Sequence, residues 1–211
     1  MIVKICGIKT LEVALNALES GADMLGFNFY PPSPRYIQPD MCAEIIARLK
    51  TQGTSFTAVG VFVNQNPQQI RAIMQTCQLD LAQLAGDETL QDLAALDGKA
   101  FKAVRPRSNQ EAQAQIQLLA RPTAPALLVD AHVKGAYGGT GETGDWALAH
   151  HMACQVPILL AGGLNPENVA AAVHAVDPWG VDVASGVESS PGVKDPLKIS
   201  AFICAARSPA R

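Results

Sequence analysis

The sequence predicts an α/β protein built as a single closed (β/α)₈ TIM barrel, and three observations carry this prediction. Eight short apolar segments alternate with eight segments whose apolar residues recur at helical spacing. Several short segments, ILLAG and TAVGVFV most clearly, are apolar at consecutive positions, as strands are when a parallel sheet is buried on both faces. Eight complete units favour a closed barrel over an open doubly wound sheet, for which about five or six strands suffice.

The predicted elements alternate strictly along the chain. The strands are Ile2–Cys6, Met24–Phe29, Thr57–Val63, Leu79–Leu84, Phe101–Arg105, Ala126–Asp130, Pro157–Ala161 and Gly180–Ala184. The helices are Leu11–Ser20, Met41–Lys50, Pro67–Gln78, Glu88–Ala95, Gln110–Leu119, Trp146–Ala153, Pro166–Val176 and Pro196–Ala206. Asn66 and Asn165 each precede a proline, which is typical of a capped helix start. No linker interrupts the pattern, so we expect one domain over residues 1–211.

Composition and charge restrict the function classes. A net charge of −3 and a pI near 5.8 give no basic face for a phosphate backbone, so we expect no nucleic-acid partner. We also expect no membrane partner, because no apolar run approaches the roughly 20 residues that span a bilayer. The 5 cysteines are scattered, and the first residues lack the pattern of a secretory signal. We therefore expect a cytoplasmic protein with reduced thiols.

Two strand ends carry groups that can transfer protons. In barrels of this type the reacting groups lie at the carboxyl ends of the strands. Cys6 ends the first strand on the same face as Lys4, and its thiol is a candidate base or nucleophile, or else a small buried apolar side chain. Asp130 ends the sixth strand, where a carboxylate is a candidate acid or a cap for the next loop. Three glycines within residues 138–141 could let that loop close over a ligand.

The remaining candidates are groups that bind anions. Glycines follow the last two strands, where barrels frequently hold a phosphate on backbone N–H groups; these loops contain Gly162, Gly163, Ser185 and Gly186. Arg35 lies in a proline-stiffened loop, and its planar fork suits a carboxylate. The 4 histidines lack metal-ligand company, so we expect no metal. There is no G-x-G-x-x-G pattern after the first strand either, so we expect no dinucleotide cofactor.

Taken together, these segments resemble the phosphoribosylanthranilate isomerase family across essentially the whole chain. They are KICGIKT, GFNFYPPSPRYI, GVFVN, LDLAQLAGDE, LLVDA followed by GGTGET and DW, ILLAGGLNPENV and GVDVASGVESSPGVKD. The resemblance implies a cofactor-free Amadori rearrangement in tryptophan biosynthesis. In that reaction N-(5-phosphoribosyl)anthranilate becomes 1-(2-carboxyphenylamino)-1-deoxyribulose 5-phosphate. The expected partner is therefore this small phosphorylated substrate, and the chain itself is expected as a monomer or a homodimer.

The resemblance also implies roles for individual residues. Cys6 looks like the general base, Asp130 like the general acid, and Arg35 like the residue that receives the anthranilate carboxylate. The glycine loops would hold the phosphate, and the weaker candidates at the pocket rim or floor are Gln83 and Asp182. A free cysteine titrates near pH 8.5, so Cys6 needs help to become a thiolate, and Lys4 on the same strand face is one possible source.

Two residues depart from the usual family pattern, and two other functions stay open. The family usually has histidine at the position of Ala85 and commonly lysine at that of Glu142, which affects expectations about substrate affinity and the closing loop. One alternative is the related histidine-pathway isomerase, although such enzymes typically use two carboxylates and show a two-half repeat. The other is a catalytically silent barrel that serves as a scaffold, since fold alone does not establish function.

Overall fold

A computed structural model describes residues 1–131 and 146–208 of the chain. Eight parallel strands close into a barrel in sequence order, β1 against β2 and so on round to β8, which pairs with β1. The strands are β1 (Ile2–Cys6), β2 (Met24–Asn28), β3 (Thr57–Phe62), β4 (Leu81–Leu84), β5 (Ala100–Val104), β6 (Leu127–Asp130), β7 (Ile158–Ala161) and β8 (Gly180–Val183). The predicted fold class is confirmed, and each strand boundary lies within two residues of its predicted position.

Each barrel strand is followed by a helix that covers it from outside. The helices are α1 (Leu11–Glu19), α2 (Pro39–Thr51), α3 (Pro67–Cys77), α4 (Leu90–Ala94), α5 (Asn109–Leu119), α6 (Trp146–Ala153), α7 (Val169–Val176) and α8 (Pro196–Arg207). Apolar side chains from the outer face of the barrel and the inner faces of the helices form one continuous buried layer. Within the described ranges, no helix has the length and apolar character needed to cross a bilayer.

One predicted helix start is wrong, and the reason is local hydrogen bonding. We expected Asn165 to cap a helix that begins at Pro166, but α7 begins at Val169. The Asn165 side chain accepts the N–H groups of Glu167 and Asn168, each at 3.0 Å. Asn168 in turn accepts the backbone N–H of Asn165 at 2.9 Å. The capping side chain therefore closes a separate turn before the helix.

The inside of the barrel changes from apolar to polar along its axis. A second buried cluster fills the interior with Met24, Val59, Phe101, Leu128, Leu159 and Ala161. The polar side chains of Lys4, Gln83 and Asp182 are also buried there. The register places Lys4 directly opposite Asp182 on the adjacent strand β8. Because buried charges need partners, this polar layer indicates where the barrel stops being only a core and begins to form a site.

A small hairpin that we did not predict follows the barrel. After β8 come a short 3₁₀ helix (Ser185–Val187), β9 (Glu188–Ser190) and β10 (Val193–Lys194), and the last two pair antiparallel. Gly192 in the turn has φ +80, and a Cβ there would clash with the Pro34 carbonyl oxygen. The hairpin therefore lies directly against the loop after β2, an approach that only glycine permits.

Candidate active site

A cavity of about 910 Å³ opens at the carboxyl ends of the barrel strands. Its walls include eight of the nine predicted site residues, namely Cys6, Arg35, Gln83, Asp130, Gly162, Gly163, Asp182 and Ser185. The ninth, Gly186, lies behind the cavity wall, where a Cβ would clash with the Leu164 carbonyl oxygen. The strand ends thus bring together residues that are up to 179 positions apart in sequence.

The buried ammonium group of Lys4 forms the floor of the cavity. Lys4 is 0% exposed, and its Nζ donates to Asp182 Oδ1 at 2.7 Å and to Gln83 Oε1 at 2.9 Å. Burial lowers the pKa of Lys4, but the Asp182 carboxylate and the neighbouring Cys6 sulfur outweigh burial, and the pKa ends above its ordinary value. Lys4 is therefore a fixed positive charge below Cys6.

Cys6 lies directly above this ammonium group. Burial raises the pKa of the Cys6 thiol above its ordinary value, and Lys4 opposes that effect while Asp182 adds to it. A Cβ on Gly26 of the adjacent strand would lie 2.8 Å from Cys6 Sγ, so only glycine leaves room for the sulfur. The thiol form therefore dominates at neutral pH, and Lys4 reduces the energy needed to reach the thiolate.

Asp130 ends β6, which lies three strands around the barrel from the strand β1 that carries Cys6. Arg105 Nε donates to Asp130 Oδ2 at 2.7 Å, although the Arg105 side chain is 74% exposed. We did not predict Arg105 as a site residue. A signal was present, because Arg105 follows Phe101 and Ala103 with the period of two that marks the inner face of a strand. The loop after Asp130, including Glu142, lies outside the described residues.

The loops after β7 and β8 form a glycine-lined corner of the cavity. Gly162 and Gly163 have φ values of +101 and +67, which glycine adopts without strain. Gly186 packs backbone against backbone on Leu164, so the two loops are in direct contact. Within residues 1–131 and 146–208, the N–H groups of Gly163 and Ser185 donate to no protein acceptor. Unpaired backbone donors in glycine loops suit an anion.

Arg35 reaches the cavity from the loop after β2 and is held by a residue that we did not predict. Its Nε and Nη2 donate to the two carboxylate oxygens of Glu188, each at 2.7 Å. Lys194 Nζ also donates to Glu188 Oε1, at 2.9 Å. The sequence segment GVESSPGVKD contained both new residues, but no local pattern connects them with Arg35, which is 153 positions from Glu188.

A second unpredicted ion pair shapes the wall formed by the loop after β4. Lys102 Nζ donates to Glu88 Oε2 at 2.9 Å and to the Leu84 carbonyl oxygen at 3.3 Å, and both charged residues are buried. Glu88 also accepts the Gly86 N–H at 2.9 Å. This wall includes Ala85, which departs from the usual family residue. The methyl group of Ala85 cannot form a hydrogen bond, so only the neighbouring residues can offer hydrogen bonds to a ligand at this wall.

We also searched the described residues for side chains that could bind a metal ion. Throughout the two described ranges, no group of three or more His, Cys, Asp or Glu side chains is arranged to hold a metal ion. The expectation that the reaction needs no metal stays a prediction.

Comparison with known proteins agrees with this site and fold. The family model for N-(5'-phosphoribosyl)anthranilate (PRA) isomerase matches residues 3–205. The isomerase of that name from Roseiflexus castenholzii is 48% identical over 216 residues, covering 100% of both chains. The crystal structure of phosphoribosyl anthranilate isomerase from Thermotoga maritima superposes with a TM-score of 0.86 at 38% identity, covering 98% of this chain and 99% of that one.

A third relative has been solved with a ligand. It is a phosphoribosyl anthranilate isomerase in complex with reduced 1-(o-carboxyphenylamino)-1-deoxyribulose 5-phosphate, with a TM-score of 0.83 and 37% identity over 98% of this chain and 99% of that one. The match by sequence and by structure extends over nearly the whole chain, and the predicted family is confirmed. The chain belongs to the N-(5'-phosphoribosyl)anthranilate isomerase family.

Proposed function

We propose that the chain isomerises N-(5'-phosphoribosyl)anthranilate to 1-(2-carboxyphenylamino)-1-deoxyribulose 5-phosphate, an aldose–ketose rearrangement in tryptophan biosynthesis. The observation that carries this proposal is one cavity whose walls hold the thiol of Cys6, the carboxylate of Asp130, the guanidinium of Arg35 and the glycine loops after β7 and β8. The reaction moves protons and breaks one ring C–O bond without any change in redox state. The reaction therefore requires a general acid and a general base. We propose that no cofactor or metal takes part.

Ring opening is assigned to Asp130. A proton delivered to the furanose oxygen lets the anilino nitrogen form a Schiff base as the ring C–O bond breaks. Asp130 has to be protonated for this step and leaves it as a carboxylate. Arg105, at 2.7 Å, orients the side chain and can stabilise the charge that develops there.

Proton removal from the sugar C2 is assigned to Cys6. The Schiff base makes that hydrogen acidic, and the Cys6 thiolate takes it to give an enolamine, which tautomerises to the ketone. Lys4 lies beneath the sulfur and lowers the pKa of Cys6 against the opposite effect of burial. Since β6 lies three strands from β1 around the barrel, acid and base approach the substrate from different sides.

The two ends of the substrate are assigned to two anion sites. We place the phosphate on the backbone of the loops after β7 and β8, at Gly162, Gly163 and Ser185, with Gly186 supporting these loops from behind the cavity wall. We place the anthranilate carboxylate on Arg35, in the loop after β2. The sugar would then lie over β1, with its C2 within reach of Cys6.

The wider assignments follow from the same chemistry. We propose that residues 1–211 form one catalytic domain in the cytoplasm, where its substrate would be made and consumed. Its partner is a small phosphorylated molecule, and neither nucleic acid nor a membrane takes part. The Thermotoga maritima enzyme is described as dimeric and was converted to monomers. For this chain both a monomer and a homodimer fit the proposed reaction.

The test is a fluorescence assay that follows the loss of freshly generated phosphoribosylanthranilate in the presence of a metal chelator. Wild-type protein should turn over, and Cys6→Ala and Asp130→Asn should each lower kcat by about 100- to 10,000-fold. Cys154→Ala is the matched control, because this exposed cysteine lies outside the cavity and should keep normal turnover. Absence of wild-type turnover would refute the proposed function. Normal turnover in either site variant would refute that residue's role.

A further inference from the structure

We propose that Glu188 is a positioning residue that holds Arg35 so that only one edge of its guanidinium group is left for the substrate carboxylate. The inference rests on the carboxylate role proposed above for Arg35. It adds a residue from the unpredicted hairpin to the machinery for substrate specificity.

The ion pair uses one particular edge of the guanidinium group. Arg35 Nε and Nη2 point the same way and donate to Glu188 Oε1 and Oε2, each at 2.7 Å. A planar guanidinium offers a second two-donor edge, formed by Nη1 and the remaining hydrogen of Nη2. Among the described residues, none accepts a hydrogen bond from Nη1. The fork therefore presents a ready bidentate site for one carboxylate, in a plane that Glu188 sets.

Glu188 is itself rigidly held. Its side chain is 4% exposed, Lys194 Nζ donates to Oε1 at 2.9 Å, and the Gly192 N–H donates to Oε2 at 3.2 Å. With Arg35, each carboxylate oxygen accepts two hydrogen bonds. Burial by itself raises the pKa of Glu188. The hydrogen bonds from Arg35 and Lys194 lower the pKa by more than burial raises it, and the result is a pKa of about 2. Glu188 therefore stays a fully bonded carboxylate at any working pH.

The hairpin and the arginine loop are also joined through their backbones. Gly192 packs on the Pro34 carbonyl oxygen, which accepts a hydrogen bond from Lys9 Nζ at 3.1 Å. On the other side of Arg35, a Cβ on Gly7 would lie 3.0 Å from the arginine Cδ. The stem of the Arg35 side chain thus packs on Gly7, while the hairpin holds the neighbouring Pro34 backbone and the guanidinium group.

The positioning role makes a prediction opposite in sign to simple electrostatics. Replacing Glu188 with glutamine removes a negative charge beside Arg35, so charge alone would strengthen the binding of every anion. If Glu188 acts by holding the fork, the same substitution weakens ligands that carry the carboxylate and leaves ligands that carry only phosphate unchanged. A purely structural role would weaken both kinds of ligand together.

The experiment uses the intact protein and two ligands, reduced 1-(2-carboxyphenylamino)-1-deoxyribulose 5-phosphate, which has both anionic groups, and ribulose 5-phosphate, which has only the phosphate. For Glu188→Gln we expect KM and the Kd of the reduced ligand to rise about 10- to 100-fold, the loss expected when a charged bidentate contact is misaligned. We expect kcat and the Kd of ribulose 5-phosphate to change by less than about threefold. Asp23→Asn, which breaks the ion pair with Arg207 outside the cavity, is the control and should leave the ratio of the two Kd values unchanged.

The outcomes separate this inference from the proposed function. If wild-type protein binds neither ligand and does not turn over, the proposed function fails. If wild type binds both and Glu188→Gln binds the reduced ligand equally or more tightly, the positioning role alone fails. Equal weakening of both ligands by Glu188→Gln would also overturn it. If Glu188→Gln does not fold, Gly192→Ala, which pushes the hairpin off Pro34 while keeping the carboxylate, decides by the same ratio.

Discussion

The buried ammonium group of Lys4 lies beneath Cys6, and its removal is the most direct test of how the floor of the cavity works. The substitution Lys4→Met keeps the length and the apolar stem of the side chain but removes the ammonium group. It breaks the bonds to Asp182 at 2.7 Å and to Gln83 at 2.9 Å, and it leaves the Asp182 carboxylate buried without its cation. Breaking a buried ion pair on one side typically costs about 3 to 5 kcal/mol.

That cost can be converted into a melting temperature. A loss of 1 kcal/mol lowers the Tm of a 150- to 250-residue domain by about 2 to 4 °C, so Lys4→Met should lower it by about 6 to 20 °C. In the double variant Lys4→Met/Asp182→Asn the orphaned buried charge is gone. Most of the lost stability should therefore return. Lys99→Met, at an exposed lysine, is the control and should change stability by less than about 0.5 kcal/mol.

The effect on activity should not follow the effect on stability. Lys4 lowers the pKa of Cys6 and Asp182 raises it, and burial of the sulfur acts throughout. Since the base must be deprotonated, the acid limb of the kcat/KM profile should move to higher pH in the double variant and further still in Lys4→Met. Melting curves and pH profiles of the variants measure both effects. A Lys4→Met protein with wild-type Tm and an unshifted acid limb would refute the reasoning.

Three further predictions concern the anion sites. Arg35→Ala should chiefly raise KM, measured by initial rates, and an unchanged KM would place the carboxylate elsewhere. Gly186→Ala should force the last two strand loops apart, weaken inhibition by inorganic phosphate and lower stability by about 1 to 3 kcal/mol, so unchanged inhibition would remove that corner as the phosphate site. Glu188 has its pKa lowered from 4.5 to about 2, so its stabilising contribution is complete above pH 4.5 and lost as the pH falls toward 2. Urea unfolding at several pH values should show the stability gap between wild type and Glu188→Gln narrowing over that interval, and a constant gap would contradict the assignment.

Much of the fold could be predicted because its signals are local. Strands of consecutive apolar residues, helical spacing and proline punctuation each involve a few neighbouring positions, and eight repeats of one unit leave little choice of topology. The rim positions of Cys6 and Asp130 follow from the same reasoning, since a strand end is visible in sequence. The start of α7 was missed because Asn165 had two equally local options, a helix cap or a separate turn, and the backbone adopted the turn.

The sequence by itself determined the barrel, the strand ends that carry Cys6 and Asp130, and the glycine loops. It could do so because burial and backbone conformation depend mainly on neighbouring residues. Only the tertiary structure decided which charges meet. Arg35 pairs with Glu188, and Lys4 pairs with Asp182. The sulfur of Cys6 is buried and lies beside the ammonium group of Lys4. Such pairs join positions 153 and 178 residues apart, and their strength depends on how far closure of the barrel removes water from both partners.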